Sequence, residues 1–259
     1  MLLYFSKKGD YMKNKIINIL IIIISIVLLT LIGINLYQNY QKDKEEQLKP
    51  VIKHEEVIDK IEELPQTNYE EELNKLKESY NNNDIVGILS IENTKFSEIV
   101  MQSSDNNYYL EHTVYHEADW RGQTYLDYRS DINNSKKLII YGHNSPNYVL
   151  PFKIFENYYD ENYISDHKYM YLQTDKEIKV YQIFSVYIEV SDWEYYNKMT
   201  FRNNEEYYNH IQKLKNNSIY DTNIELTKDD EILIIQTCCT FKGCDMYENK
   251  FLIIIGKKI

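Results

Sequence analysis

A chain of 259 residues with 43% hydrophobic content can bury one substantial core and still carry accessory segments. Its formal net charge of -11 excludes a nucleic-acid partner, because phosphate binding demands basic patches. All three cysteines fall between Cys238 and Cys244, so whatever they do is done at one place.

Residues 1–15 carry Lys7, Lys8, Lys13 and Lys15 against the single acid Asp10. From Ile16 to Ile34 the chain reads IINILIIIISIVLLTLIGI, and no charge appears between Lys15 and Lys42. As a helix this run is roughly 28 Å long, enough to cross a hydrocarbon core. It is apolar on every face, unlike an amphipathic helix packed on a core. It is too long for an ordinary signal-peptide core, and no small-residue cleavage site follows it. Residues 16–36 are therefore expected to form an uncleaved transmembrane signal anchor. The lysines ahead of the span put residues 1–15 in the cytoplasm and the bulk of the chain outside the cell. That acidic body is not a phospholipid-binding surface.

Residues 37–83 read as an extracellular helical stalk. Gln38 to Leu64 is rich in Lys and Glu. The stretch NYEEELNKLKESY predicts a helix over Asn68–Tyr80, with Asn68 as N-cap, acids in the first turn and lysines later. Leu73, Leu76 and Tyr80 form a narrow apolar stripe suited to docking on the domain that follows.

The texture changes at Asp84. IVGILSIENTKFSEIVMQ, KKLIIYGHN, KVYQIFSVYIEV, DEILIIQTCC and NKFLIIIGKKI are short, β-branched and aromatic-rich, and predict strands. Helical inserts are predicted near Phe152–Tyr159 and over Asn203–Asn217. Residues 84–259 are thus expected to be a mostly β domain, a barrel or sandwich with helices on its rim.

The cysteines admit three readings. A metal site needs about four ligands, and C-C-x4-C with six scattered histidines does not supply them. A staple within so short a segment restricts the unfolded chain little, and a bridge between the adjacent Cys238 and Cys239 is strained. A nucleophile needs a basic partner. Cys238 ends the apolar strand ILIIQTC, and His143 ends the apolar strand LIIYGHN, so the two can meet at one rim of a barrel. Taken alone, a histidine after a strand is more often a hydrogen-bonded turn residue.

LIIYGHN and ILIIQTC resemble the histidine and cysteine motifs of the sortases, most closely class B. GILSIENTKFSEIVMQSSDNNYYLEH is similar to the first strands of that family, and GQTYLDYRSD to its G-x-x-F-x-D-Y-R segment. The helix before the cysteine strand resembles the class B insert, and the likeness runs from about Val86 to the C-terminus. It implies a closed β-barrel of about seven to eight strands with peripheral helices. It also implies a membrane-anchored cysteine transpeptidase of a Gram-positive cell wall, working without metal or cofactor. Cys238 would attack the threonine carbonyl of an LPxTG- or NPQTN-type sorting signal on a surface protein. His143 would be the general acid and base. An amine of a peptidoglycan cross-bridge, or of its lipid-linked precursor, would resolve the thioester. Gln236 and Thr237 would line the substrate groove.

The family also has an arginine on the strand after the cysteine, and no arginine follows Arg202 here. Lys250 is the expected substitute, although aligning the terminal GK puts Phe251 at the arginine position. A lysine offers a point charge without the arginine's fork. The alternative is a catalytically weakened sortase-like module kept for binding or assembly. Arg129 is read as pairing with a nearby acid to hold a loop, and Asp127 as structural. Cys244 is a candidate to trap Cys238 in a reversible disulfide. LPQTN, Leu64 to Asn68, blends two sorting signals, and reads first as a proline turn with a helix cap and second as a pseudosubstrate. Papain-like wall peptidases place their cysteine before the histidine, on a helix, opposite to the order here.

Overall fold

Eight strands close into a barrel in the order β1-β2-β3-β4-β7-β8-β6-β5. They are β1 (Ile85–Ile91), β2 (Ser97–Met101), β3 (Tyr125–Leu126), β4 (Lys137–Tyr141), β5 (Tyr169–Gln173), β6 (Ile178–Glu189), β7 (Ile232–Cys238) and β8 (Phe251–Lys258). The structure is a computed structural model that describes residues 28, 30–38, 68–190, 193–241, 244 and 250–259, apart from the side chains of residues 193 and 194. The chain divides into two units, Met1–Pro50 and Val51–Ile259.

In the first unit, residues 30–38 are helical and expose Leu31, Ile32, Ile34 and Leu36. Among the described residues no helix is long and apolar enough to cross a membrane. Most of the run expected as the anchor, 16–36, lies outside the described residues. So do residues 1–15, 39–67 of the expected stalk, and the LPQTN motif as far as Thr67.

In the second unit, helix α1 (Tyr69–Tyr80) starts where the sequence predicts. The Asn68 side chain accepts from the Glu71 backbone N–H at 3.2 Å, and Leu73, Leu76 and Tyr80 are buried. A 3-10 helix (Pro151–Tyr159) and α2 (Glu161–Asp166) follow β4. Between β6 and β7 lie the single turn α3 (Trp193–Tyr196) and α4 (Asn204–Asn216). Helix α4 is capped by the Asn203 side chain on the Glu206 N–H at 2.9 Å. It buries Tyr207, His210, Ile211 and Leu214, a helical stripe at three- and four-residue steps.

Strand alternation explains the two faces of the wall. Leu138 and Ile140 of β4, Leu233 and Ile235 of β7, and Leu252 and Ile254 of β8 point into one apolar core. Each such side chain, fully buried, contributes about 1.5–3 kcal/mol. The alternate residues Lys137, Ile139 and Tyr141 face outward yet are buried as well, because other chain segments cover the outside of β4.

Strands β4 and β7 are parallel neighbours, with Tyr141 opposite Gln236. Their C-terminal ends therefore open on the same rim. Strand β8 runs antiparallel beside β7, with Phe251 opposite Cys238.

His210, buried under α4, is held neutral. Burial first, then Lys137, Lys198 and Lys213, push its pKa down to about 2, against Glu206. In an unfolded chain imidazole titrates at about 6.5. Between those values the unfolded chain binds the extra proton, so stability falls as pH falls. The expected loss is about 2 kcal/mol between pH 6.5 and pH 5. Urea midpoints across that range measure it, and His210→Gln should flatten the slope.

Candidate active site

The ends of β4 and β7 carry His143 and Cys238, each two residues past the Tyr141–Gln236 pair. Backbone and side-chain bonds lace the two ends together. The Gly142 N–H donates to Gln236 O at 3.3 Å, and the Thr237 hydroxyl donates to Gly142 O at 2.8 Å. The Asn144 amide donates to Cys238 O at 3.0 Å and to Glu156 Oε1 at 2.7 Å. Glu156 Oε1 also accepts from the Thr240 N–H at 2.8 Å and its hydroxyl at 2.6 Å. One carboxylate of the 3-10 helix thus holds the residue after His143 and a residue just past Cys238. Burial alone would raise the Glu156 pKa, but Lys153, Thr240 and Asn144 outweigh it and keep the group ionised. Gly142 is required at its position, since a Cβ there would run into the Phe152 ring.

His143 Nε2 lies 2.8 Å from Leu110 O. A carbonyl only accepts, so Nε2 carries a hydrogen and Nδ1 is the nitrogen left to accept one. Cys238 is exposed and is the free cysteine. Burial of the sulfur by the surrounding wall still pushes its pKa up, so the neutral thiol dominates at pH 7. Tyr125 and Tyr196 lie near enough that a thiolate at Cys238 would add to the burial that already opposes their ionisation.

A cavity of about 170 Å3 opens beside Phe251, lined by Asn106, Tyr125, Tyr141, Tyr196, Asn197 and Gln236. The Tyr196 hydroxyl donates to Gln236 Oε1 at 3.0 Å. Asp127 is fully buried under this floor and pairs with Arg129 at 2.6 Å. Burial would raise its pKa, but bonds from Arg129, Tyr141 and Asn106 hold it below the usual carboxylate range. The arrangement offers a nucleophilic sulfur, an imidazole with a nitrogen left to accept a proton, and an aromatic slot beside them.

Lys250, Thr237 and Cys244 sit differently from the sequence expectation. Lys250 is not opposite Cys238. Its carbonyl accepts from the Cys239 N–H at 3.2 Å, and its Nζ bonds Cys244 O. The pleat turns it to the face away from Cys238, and the residue across from the thiol is Phe251. Thr237 does not line the cleft, because it is 1% exposed and turned inward, whereas Gln236 does line it. Cys244 does not pair with Cys238. It forms a disulfide with Cys239, whose Cα is 6.0 Å away, a spacing that suits the bond. A staple over so short a loop restricts the unfolded chain little, yet Cys239 turns into the core beside Cys244.

Asn144, Glu156, Tyr196 and Asn197 escaped the sequence reading. Only Asn144 had a signal there, its position directly after His143. Among the described residues no group of His, Cys, Asp and Glu could hold a metal ion.

No family model matches the chain. It is 31% identical to Sortase B of Listeria monocytogenes over 179 residues, covering 69% of this chain and 71% of that one. The crystal structure of Clostridium perfringens sortase B superposes with a TM-score of 0.65 at 27% identity, covering 72% of this chain and 99% of the other. A sortase B complexed with triglycine gives a TM-score of 0.70 at 21% identity, covering 87% and 98%, which shows a shared fold.

Proposed function

Because the chain belongs to the class B sortases, which are cysteine transpeptidases, we propose that it anchors surface proteins to the cell wall. It cleaves an LPxTG- or NPQTN-like sorting signal after its Thr and passes the acyl group to a wall amine. One observation carries this reading: His143 and Cys238 end adjacent parallel strands that are laced together beside an aromatic slot.

The Cys238 thiol passes its proton to His143 Nδ1 as its Sγ attacks the threonine carbonyl. His143, protonated at Nδ1, gives a proton to the departing amine, and the thioester remains on Cys238. An incoming amine then attacks the thioester, the C–S bond breaks, and the amine's surplus proton passes through His143 to the leaving sulfur, which becomes a thiol again. Since Cys238 is pushed up in pKa, the reactive pair of thiolate and imidazolium is a minor population at pH 7. A relative is complexed with triglycine, which supports a peptide amine of a peptidoglycan cross-bridge or its lipid-linked precursor as acceptor.

The apolar run at 16–36 supports a single-pass anchor, with residues 1–15 cytoplasmic, 37–83 a stalk and 84–259 the catalytic domain outside the cell. The exposed Leu31, Ile32, Ile34 and Leu36 belong to that anchor. A second reading, a weakened module kept for binding or assembly, is favoured by Phe251 standing across from Cys238.

The test mixes the detergent-solubilised full chain with peptides carrying LPQTG, NPQTN and related signals, and weighs the intact protein. An acyl adduct absent from Cys238→Ala supports the transpeptidase, and the best peptide names the signal. No adduct with any peptide favours the binding module.

A further inference from the structure

Behind the cleft wall lies a buried group that the thiol chemistry does not use. Lys137 opens β4 on its outer face, four residues before Tyr141, so the two side chains project the same way. Its Nζ donates to Tyr196 O and, at 2.7 Å, to Lys198 O, and it lies 2.9 Å from His210 Nε2. None of these partners is an acid. Burial, with Arg129 and Lys198 nearby, pushes the Lys137 pKa well down, against the pull of Asp127. An apolar side chain of similar volume would avoid that desolvation cost. What the amine adds is direction, because its three contacts match the bonding capacity of the nitrogen.

The two carbonyls bracket Asn197. The Asn197 side-chain oxygen accepts from Arg129 and lies 3.4 Å from the Tyr141 hydroxyl. Tyr196 reaches Gln236, two residues before Cys238. Tyr196 and Asn197 both line the 170 Å3 cavity. From the far side, α4 presses His210 between Tyr195 and Phe201, with ring centroids 4.7 and 4.9 Å away.

We propose that Lys137 and His210 form an internal clamp on the Tyr196–Lys198 backbone, making Tyr196 and Asn197 a preformed wall for the sorting-signal peptide. Lys137 and His210 are positioning residues, since they act through that wall. The proposal rests on the transpeptidase reading for its kinetic readout only.

Lys137→Met is expected to raise KM for the best peptide roughly tenfold or more, the loss that follows when a hydrogen-bonded buried group is removed. Both kcat and the rate of Cys238 alkylation by iodoacetamide stay near wild type, because neither needs the wall. Amide hydrogen exchange across 195–201 quickens by a similar factor. His210→Leu moves both readouts the same way, and His210→Gln, which keeps a hydrogen-bonding partner for Nζ, returns them toward wild type. If Lys137→Met does not fold, His210→Leu decides. An unchanged KM with unchanged exchange overturns the clamp, as does a fall in kcat at constant KM. If the wild-type chain forms no adduct with any peptide, the transpeptidase reading fails while exchange across 195–201 still judges the clamp.

Discussion

Replacing Phe251 by arginine is expected to speed acyl-adduct formation by about tenfold or more, a fraction of the 10²–10³ that one oxyanion donor is worth in a site built for it. The position is the one the register singles out. Cys238 faces Phe251 across the β7–β8 pair, and Phe251 faces Glu189 across the β8–β6 pair. All three side chains fall on one face, in one row. A guanidinium at 251 would stand between the thiol and a carboxylate already in place to orient it. Its planar fork could hold the carbonyl of the peptide as charge develops. Phe251→Lys should give less, because an ammonium is a point charge without that fork. Lys250→Ala should leave the rate within roughly threefold, as for changes that touch neither core nor site. Single-turnover adduct formation by mass spectrometry distinguishes these outcomes. A collapse of activity in Lys250→Ala, with no gain in Phe251→Arg, would return the role to the lysine.

His143→Gln is expected to lower kcat for peptide transfer by about 10²–10⁴, the range for loss of a general acid and base. KM should hold, because the cavity walls come from other residues. Glutamine can still donate to Leu110 O, so the loop stays where it is and only the proton-accepting nitrogen is lost. Alkylation of Cys238 should still rise with pH, since the sulfur's elevated pKa comes from burial. An alkylation rate that collapses along with kcat would mean that His143 supports the local structure and not the proton transfers.

The long apolar runs were legible because their patterning is local. Strands β1, β2, β4, β6, β7 and β8 and helices α1 and α4 follow from periodicity and from what ends each run. Strand β3 was not legible: it is two residues long and meets β2 at a single pair, Met101 with Tyr125, which leaves no period to detect. The facing of Lys250 and Thr237 was not legible either. It depends on the phase in which β8 restarts beside β7, and one residue of slip reverses it. Glu156 was invisible for a different reason. Its partners Asn144 and Thr240 stand 12 and 84 residues away along the chain, so their meeting is a property of the closed barrel.

The pairing of Cys239 with Cys244 has a practical side. In the oxidised protein it leaves Cys238 as the single thiol open to reagents. A maleimide dye would then mark one sulfur per chain, the reactive one. Labelling stoichiometry of the purified protein becomes a count of reduced Cys238, taken without knowledge of the substrate.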